Sequence, residues 1–148
     1  QRGGDTAYDV IMSQGEIHSP IVPYVDVLTV LNQSALDKYR GVVSPDGTIF
    51  ANASKGYVEN IYGDERVISS PMSELLREIN PPKENIGLNI LSLAICLGYT
   101  GTVSREALRE TVMQSRVGIK NPGLNEAALN VGFNEADRLL KEYPKNQI

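Results

Sequence analysis

The apolar positions along the chain follow two different periods. Ala7-Tyr8-Asp9-Val10-Ile11-Met12 is rich in β-formers and predicts a strand, with a turn at Gln14-Gly15-Glu16. Residues 17–22 predict an extended segment, and Pro20 and Pro23 keep that stretch out of a sheet interior. Val25 to Leu31 is almost continuously apolar, the pattern of a strand buried on both faces. Asn32-Gln33-Ser34 can cap a short helix over Ala35 to Tyr39. Ser44-Pro45-Asp46-Gly47 predicts a turn, because Pro presets φ and Gly permits positive φ. Two further strands are predicted, at Thr48 to Asn52 and at Arg66 to Ser70.

From there the period becomes helical. Ser70 or Ser73 can cap a helix over Met72 to Ile79, which Asn80-Pro81-Pro82 stops. A very apolar helix is predicted from Ile86 to Leu97, opened by Asn85 and ended by Gly98. Ser104 is the predicted N-cap of the next, with Leu108, Val112 and Met113 as its stripe. The last helix, Asn125 to Lys141, lines up Ala128, Leu129, Phe133, Ala136 and Leu140. The expectation is one α/β domain over residues 1–148. It has a mostly parallel sheet of three to five strands flanked by helices, and a helical C-terminal part.

Composition narrows what such a domain can do. The 148 residues are 41% hydrophobic, enough for a sizeable core, and no run is long enough to span a membrane. The formal net charge of -4 argues against nucleic acid as a partner. One cysteine excludes an internal disulfide and any iron–sulfur cluster ligated by this chain alone; one histidine makes a His-based metal site a poor expectation. No secretory pattern opens the sequence, and the reading is a cytoplasmic protein. The start at Gln-Arg-Gly-Gly suggests a truncated, processed or partly disordered chain.

No nucleophile–base pair stands out, so no catalytic residue is assigned. His18 lies in an extended stretch and reads as solvent-facing or interfacial, and Cys96 as a small buried hydrophobe. Glu106/Glu110 and Glu135/Asp137 read as solvated helix faces. The informative positions are strand ends, since open α/β sheets bind ligands beyond the carboxyl ends of their strands. There Asn32 and Ser34 follow one strand, and Asn52 and Ser54 follow the next. Each pair can cap a helix or turn, or can hold a polar ligand or partner backbone. Arg2-Gly3-Gly4 is the other candidate: a guanidinium can clamp a carboxylate or phosphate, and two glycines allow close backbone approach.

Taken in order, these pieces carry a resemblance. Arg2-Gly3-Gly4, Tyr8-Asp9-Val10-Ile11-Met12-Ser13, Glu16-Ile17-His18-Ser19-Pro20, Val25-Asp26-Val27-Leu28, Leu31-Asn32-Gln33-Ser34-Ala35, Ser44-Pro45-Asp46-Gly47 and Asn52-Ala53-Ser54 appear in sequence. Asn89-Ile90-Leu91-Ser92-Leu93, Thr102-Val103-Ser104, Glu106-Ala107-Leu108, Asn125-Glu126-Ala127-Ala128 and Gly132-Phe133 follow. The set resembles the gamma subunit or domain of the pyruvate and 2-oxoacid:ferredoxin oxidoreductases. The likeness covers most of the chain but lacks the strand and glycine-rich loop with which family members open, so the chain looks like the C-terminal three-quarters of that domain.

The resemblance implies a subunit of an enzyme that oxidatively decarboxylates a 2-oxoacid to an acyl-CoA. Thiamine diphosphate, iron–sulfur clusters and CoA are expected in the complex, none of them bound by this chain alone. The expected partners are alpha, beta and possibly delta subunits, with ferredoxin or a similar carrier as acceptor. It also places Arg2-Gly3-Gly4 at a subunit boundary or a CoA phosphate. Arg2 to Ala7 together with Asn52-Ala53-Ser54 looks closer to the 2-oxoglutarate and branched-chain members than to the pyruvate ones. The alternative is a free-standing α/β module that binds a nucleotide or acyl carrier, or serves assembly, without catalysis.

Overall fold

The computed structural model describes residues 6–19, 21, 23–80 and 86–145. Its sheet is β1 (Val25–Val30), β2 (Val43–Asn52) and β3 (Val67–Ser70), paired in that order and parallel throughout. Between β1 and β2 lie α1 (Gln33–Tyr39) and a single 3-10 turn, Arg40–Val42. After β3 the chain is helical: α2 (Met72–Ile79), α3 (Leu88–Thr100), α4 (Arg105–Gln114), α5 (Arg116–Lys120) and α6 (Pro122–Glu142). The expected class is therefore the observed one, with three strands.

Both faces of the sheet are covered, which explains why its strands read as apolar runs. Phe50 and Ile68 face the larger core, where Met72, Leu76, Leu91, Ile95, Leu129 and Leu139 are buried. Ile49, Ala51 and Val67 face the other way, against Leu36 of α1 and Val58 of the β2–β3 loop. Phe50 meets Tyr99 of α3 edge to face at 5.2 Å. The β2–β3 crossover carries no helix among the described residues; its buried Val58 packs into the smaller core.

Several expectations change. Residues 6–13 and the described residues between 14 and 24 belong to no strand, because a strand needs a ladder partner and none of the described residues supplies one. Ser44-Pro45-Asp46-Gly47 lies inside β2, as a bulge. Val25 pairs with Val43 but Val27 with Thr48, so the intervening β2 residues loop out. The glycine is needed for close approach, since a Cβ at Gly47 would stand 2.6 Å from Val43 Cγ1 and 3.0 Å from the Asp26 carbonyl.

Gly98 does not end α3; the helix runs to Thr100 and stops at Gly101, which has the left-handed φ of 68°. Asn85 lies outside the described residues, and Gly87 occupies the N-cap. The five-residue α5 gave no apolar periodicity to find. In α6 the inward position of the last turn is the fully buried Leu139, with Leu140 only partly buried. No described helix is long and apolar enough to cross a membrane.

Candidate functional site

The carboxyl ends of the strands bring two of the expected pairs to one edge of the sheet. Asn52 and Ser70 close β2 and β3, and both are fully buried. The next residue after Ser70 begins the turn into α2, so the free N–H groups of that helix face the β2 end. Asn52 and Ser54 satisfy them. Ser54 Oγ accepts from the Ser73 N–H at 3.0 Å and from the Glu74 N–H at 3.2 Å. Asn52 Oδ1 accepts from the same Ser73 N–H and from the Ser54 N–H, both at 3.3 Å, while its Nδ2 donates to Ser73 Oγ at 2.8 Å. The cap of α2 thus comes from the neighbouring strand rather than from Ser70 or Ser73.

Ser70 has a different partner. Its hydroxyl donates to Glu135 Oε1 at 2.7 Å, and Arg138 donates to both Glu135 oxygens at 2.8 Å. Glu135 is buried, not on a solvated face as its spacing from Asp137 predicts. It ties the end of β3 to the middle of α6. No described buried side-chain nitrogen or oxygen lacks a partner.

Asn32 caps α1 by accepting from the Ala35 N–H at 2.9 Å, and its side chain is exposed along with Ser34. Ala53, Lys55 and Gly56 are exposed on the β2 side. The rim residues are exposed, but their backbone N–H groups are engaged: Ala53 N–H donates to the Ser70 carbonyl at 2.8 Å, Lys55 N–H to Glu74 at 3.4 Å and Gly56 N–H to Glu59 at 3.1 Å. Arg2, Gly3 and Gly4 lie outside the described residues.

Beyond the sheet edge, two charged surfaces stand out. Behind α1, Tyr62 holds a left-handed φ of 56°, a strained conformation for a bulky residue. Its hydroxyl donates to Asp37 at 2.8 Å, Gln33 donates to the same oxygen at 2.9 Å, and the Arg40 guanidinium stands 4.8 Å over the ring. These hydrogen bonds, that of Gln33 first, hold the Asp37 carboxyl below its ordinary range, and Asp37 in turn pushes the Tyr62 phenol up. Beside it Asp64 takes both Arg40 and Arg66, and the Arg66 hydrogen bonds bring its pKa down to about 2.

The second surface is a cleft of about 380 Å³ between α4 and α6, where Arg105 and Arg109 flank the Phe133 ring at 5.1 and 5.7 Å. Each guanidinium is already paired, Arg105 with Asp137 and Arg109 with Glu126. His18 is exposed, 3.9 Å from Glu16. Cys96 is partly buried, and that burial pushes its thiol up, away from the reactive thiolate. No described group of three or more His, Cys, Asp or Glu side chains could hold a metal ion.

The described residues therefore define a small parallel α/β module whose sheet edge is held by packing and capping contacts. Comparison with known proteins agrees with that class. The pyruvate ferredoxin/flavodoxin oxidoreductase family model matches residues 1–135, and the chain belongs to this family, as a gamma-type domain. It is 30% identical over 115 residues to the ketoisovalerate oxidoreductase subunit VorA of Methanothermobacter marburgensis, covering 76% of this chain and 23% of VorA. It is 27% identical over 116 residues to the 2-oxoglutarate synthase subunit KorC of Methanocaldococcus jannaschii, covering 77% of this chain and 60% of KorC. The chain thus spans less than two thirds of either relative. Among solved structures, the gamma subunit of a keto/oxoacid ferredoxin oxidoreductase from Geobacter sulfurreducens is similar, with a TM-score of 0.66 and 26% identity over 76% of this chain and 64% of that one.

Proposed function

We propose that this chain is the gamma component of a multi-subunit oxidoreductase that oxidatively decarboxylates a 2-oxoacid to an acyl-CoA and passes the electrons to ferredoxin or a similar carrier. The observation that carries the reading is the family match over residues 1–135.

In this proposal thiamine diphosphate, CoA and the iron–sulfur clusters are held by the sister alpha, beta or delta subunits. A single cysteine can offer one thiolate, so cluster ligands must come from elsewhere in the assembly. This chain contributes surfaces: the exposed rim around Asn32, Ser34, Lys55 and Gly56, and Arg2-Gly3-Gly4 as a contact to a CoA phosphate or a partner carboxylate.

For the substrate we favour 2-oxoglutarate, with a branched-chain 2-oxoacid second. The two curated relatives are named for these two acids, which supports the pair without ranking its members. The test is CoA-dependent acceptor reduction by the co-purified assembly with 2-oxoglutarate, ketoisovalerate and pyruvate in turn. A clear preference for pyruvate would overturn the substrate reading, and an assembly without this chain would overturn the role.

A further inference from the structure

The seam between α4 and α6 differs from the rest of the larger core. The buried or paired positions of α4 are Arg105, Leu108, Arg109 and Val112, the spacing of an apolar stripe, yet two of the four are arginines. On α6 the arginines meet Asp137, Glu126 and Asn130, and both guanidiniums stand over the Phe133 ring. The four side chains of the two ion pairs remain 35% to 52% exposed, and the cleft of about 380 Å³ opens the seam to solvent. Ion pairs this exposed contribute little, and salt screens them. The apolar share is small as well. α4 buries two of its ten residues, whereas α3 buries seven of thirteen.

α5 is fastened to α4. Ser115 Oγ donates to the Val112 carbonyl at 2.6 Å and accepts from the Gly118 N–H at 3.1 Å, which closes the corner between the two helices. A Cβ on Gly118 would stand 2.1 Å from that same carbonyl, so the glycine lets α5 lie directly on the end of α4. The corner joins the rest of the chain through two non-helical turns, at Gly101 with its φ of 68° and at Asn121 ahead of Pro122. Beneath it α3 and α6 are packed directly on each other, with Ala94 against Gly132. We infer that α4 and α5 form a flap that swings away from α6 as one unit about Gly101 and Asn121. Phe133, 5% exposed when the flap is closed, is then uncovered, while α3, α6 and the sheet stay folded. Few buried apolar contacts and a solvent-exposed seam give this unit a lower opening free energy than the core it covers. Ionic strength controls the device, because the seam is held in large part by screenable pairs. The inference is independent of the function proposed above.

The test is residue-resolved hydrogen–deuterium exchange of the full chain. The amides of residues 109–120 should exchange at least about tenfold faster than those of residues 92–98 in α3, with α4 and α5 sharing one opening equilibrium. Raising sodium chloride from roughly 0.05 M to roughly 0.5 M should speed the flap amides about threefold to tenfold and leave α3 and the sheet unchanged. The double variant Arg105→Gln/Arg109→Gln should show the faster exchange already at low salt and lose most of the salt response. Its α3 and sheet amides should stay as protected as in the wild type. Exchange of α4 in step with α3, or separate equilibria for α4 and α5, overturns the inference. So does a wild-type flap whose exchange ignores salt, a result that stands whether or not the variant folds. A variant whose sheet amides speed up as much as those of α4 would make the seam part of the global fold, which also overturns it.

Discussion

Asn52 joins three elements through one amide: the end of β2, the loop at Ser54 and the first turn of α2. Removing it strands the buried Ser54 N–H and leaves the Ser73 N–H to Ser54 Oγ alone. Asn52→Ala should lower the unfolding free energy by roughly 2–4 kcal/mol, read by urea denaturation. Asp64 acts at the opposite end of the strands. Its side chain is 7% exposed and its pKa is near 2 when folded, against an ordinary value of 3.8. A folded pKa below the unfolded one gives stability that is complete above the unfolded value and lost as pH falls through the folded one. Stability from Asp64 should therefore be full at neutral pH and drain away between about pH 4 and pH 2. Asp64→Asn should cost on the order of 2 kcal/mol at pH 7, and the two proteins should converge near pH 2. At this scale the sequence pointed to the right positions but not the partners. Asn52 and Ser54 were legible as polar residues at a strand end. That they cap a helix starting 18 residues after Ser54 was not, because nothing local encodes it. Glu135 misled for the same reason: its partner Ser70 is 65 residues away, and a carboxylate on a helix otherwise reads as solvated.

The close crossing of α3 and α6 decides the larger core. Ala94 of α3 stands opposite Gly132 of α6, and Gly98 of α3 opposite Ala136 and Phe133. A Cβ on Gly132 would lie 2.6 Å from Ala94 Cβ and 2.8 Å from the Leu91 carbonyl; one on Gly98 would lie 3.1 Å from both neighbours. Two effects compete in a Gly→Ala change here. Helix propensity gains about 1 kcal/mol, and overpacking against a neighbouring backbone costs roughly 1–3 kcal/mol or more. At Gly132 the backbone atoms cannot retreat, so Gly132→Ala should destabilise by a net of roughly 1–3 kcal/mol. At Gly98 side chains can yield, and Gly98→Ala should stay within about 1 kcal/mol of wild type. Thermal denaturation of the two variants side by side reads the difference. This crossing explains why Gly98 does not end its helix as its residue type predicts. Long periodic elements such as α6 were legible, because packing and local propensity agree there. The bulge at Ser44–Gly47 was legible as a turn but not as part of a strand, since its register is set by β1.

For the whole molecule, parallel strands and a helical tail were readable from where the apolar period changes. The family followed from the order of many weak motifs rather than from one strong one. The arm before β1 reads as a strand but belongs to none among the described residues, because strand-forming composition does not supply a ladder partner. A scaffold of this kind should have no turnover of its own: the isolated chain with 2-oxoglutarate, CoA and an artificial acceptor should give no reduction above background. The most direct measurement is native mass spectrometry of the oxidoreductase purified through a tag on this chain, with CoA-dependent acceptor reduction assayed on the same fractions. A gamma component should appear there at fixed stoichiometry with its sister subunits, with activity confined to that assembly. Recovery of the chain alone, or full activity in fractions that lack it, would contradict a scaffolding role in the oxidoreductase.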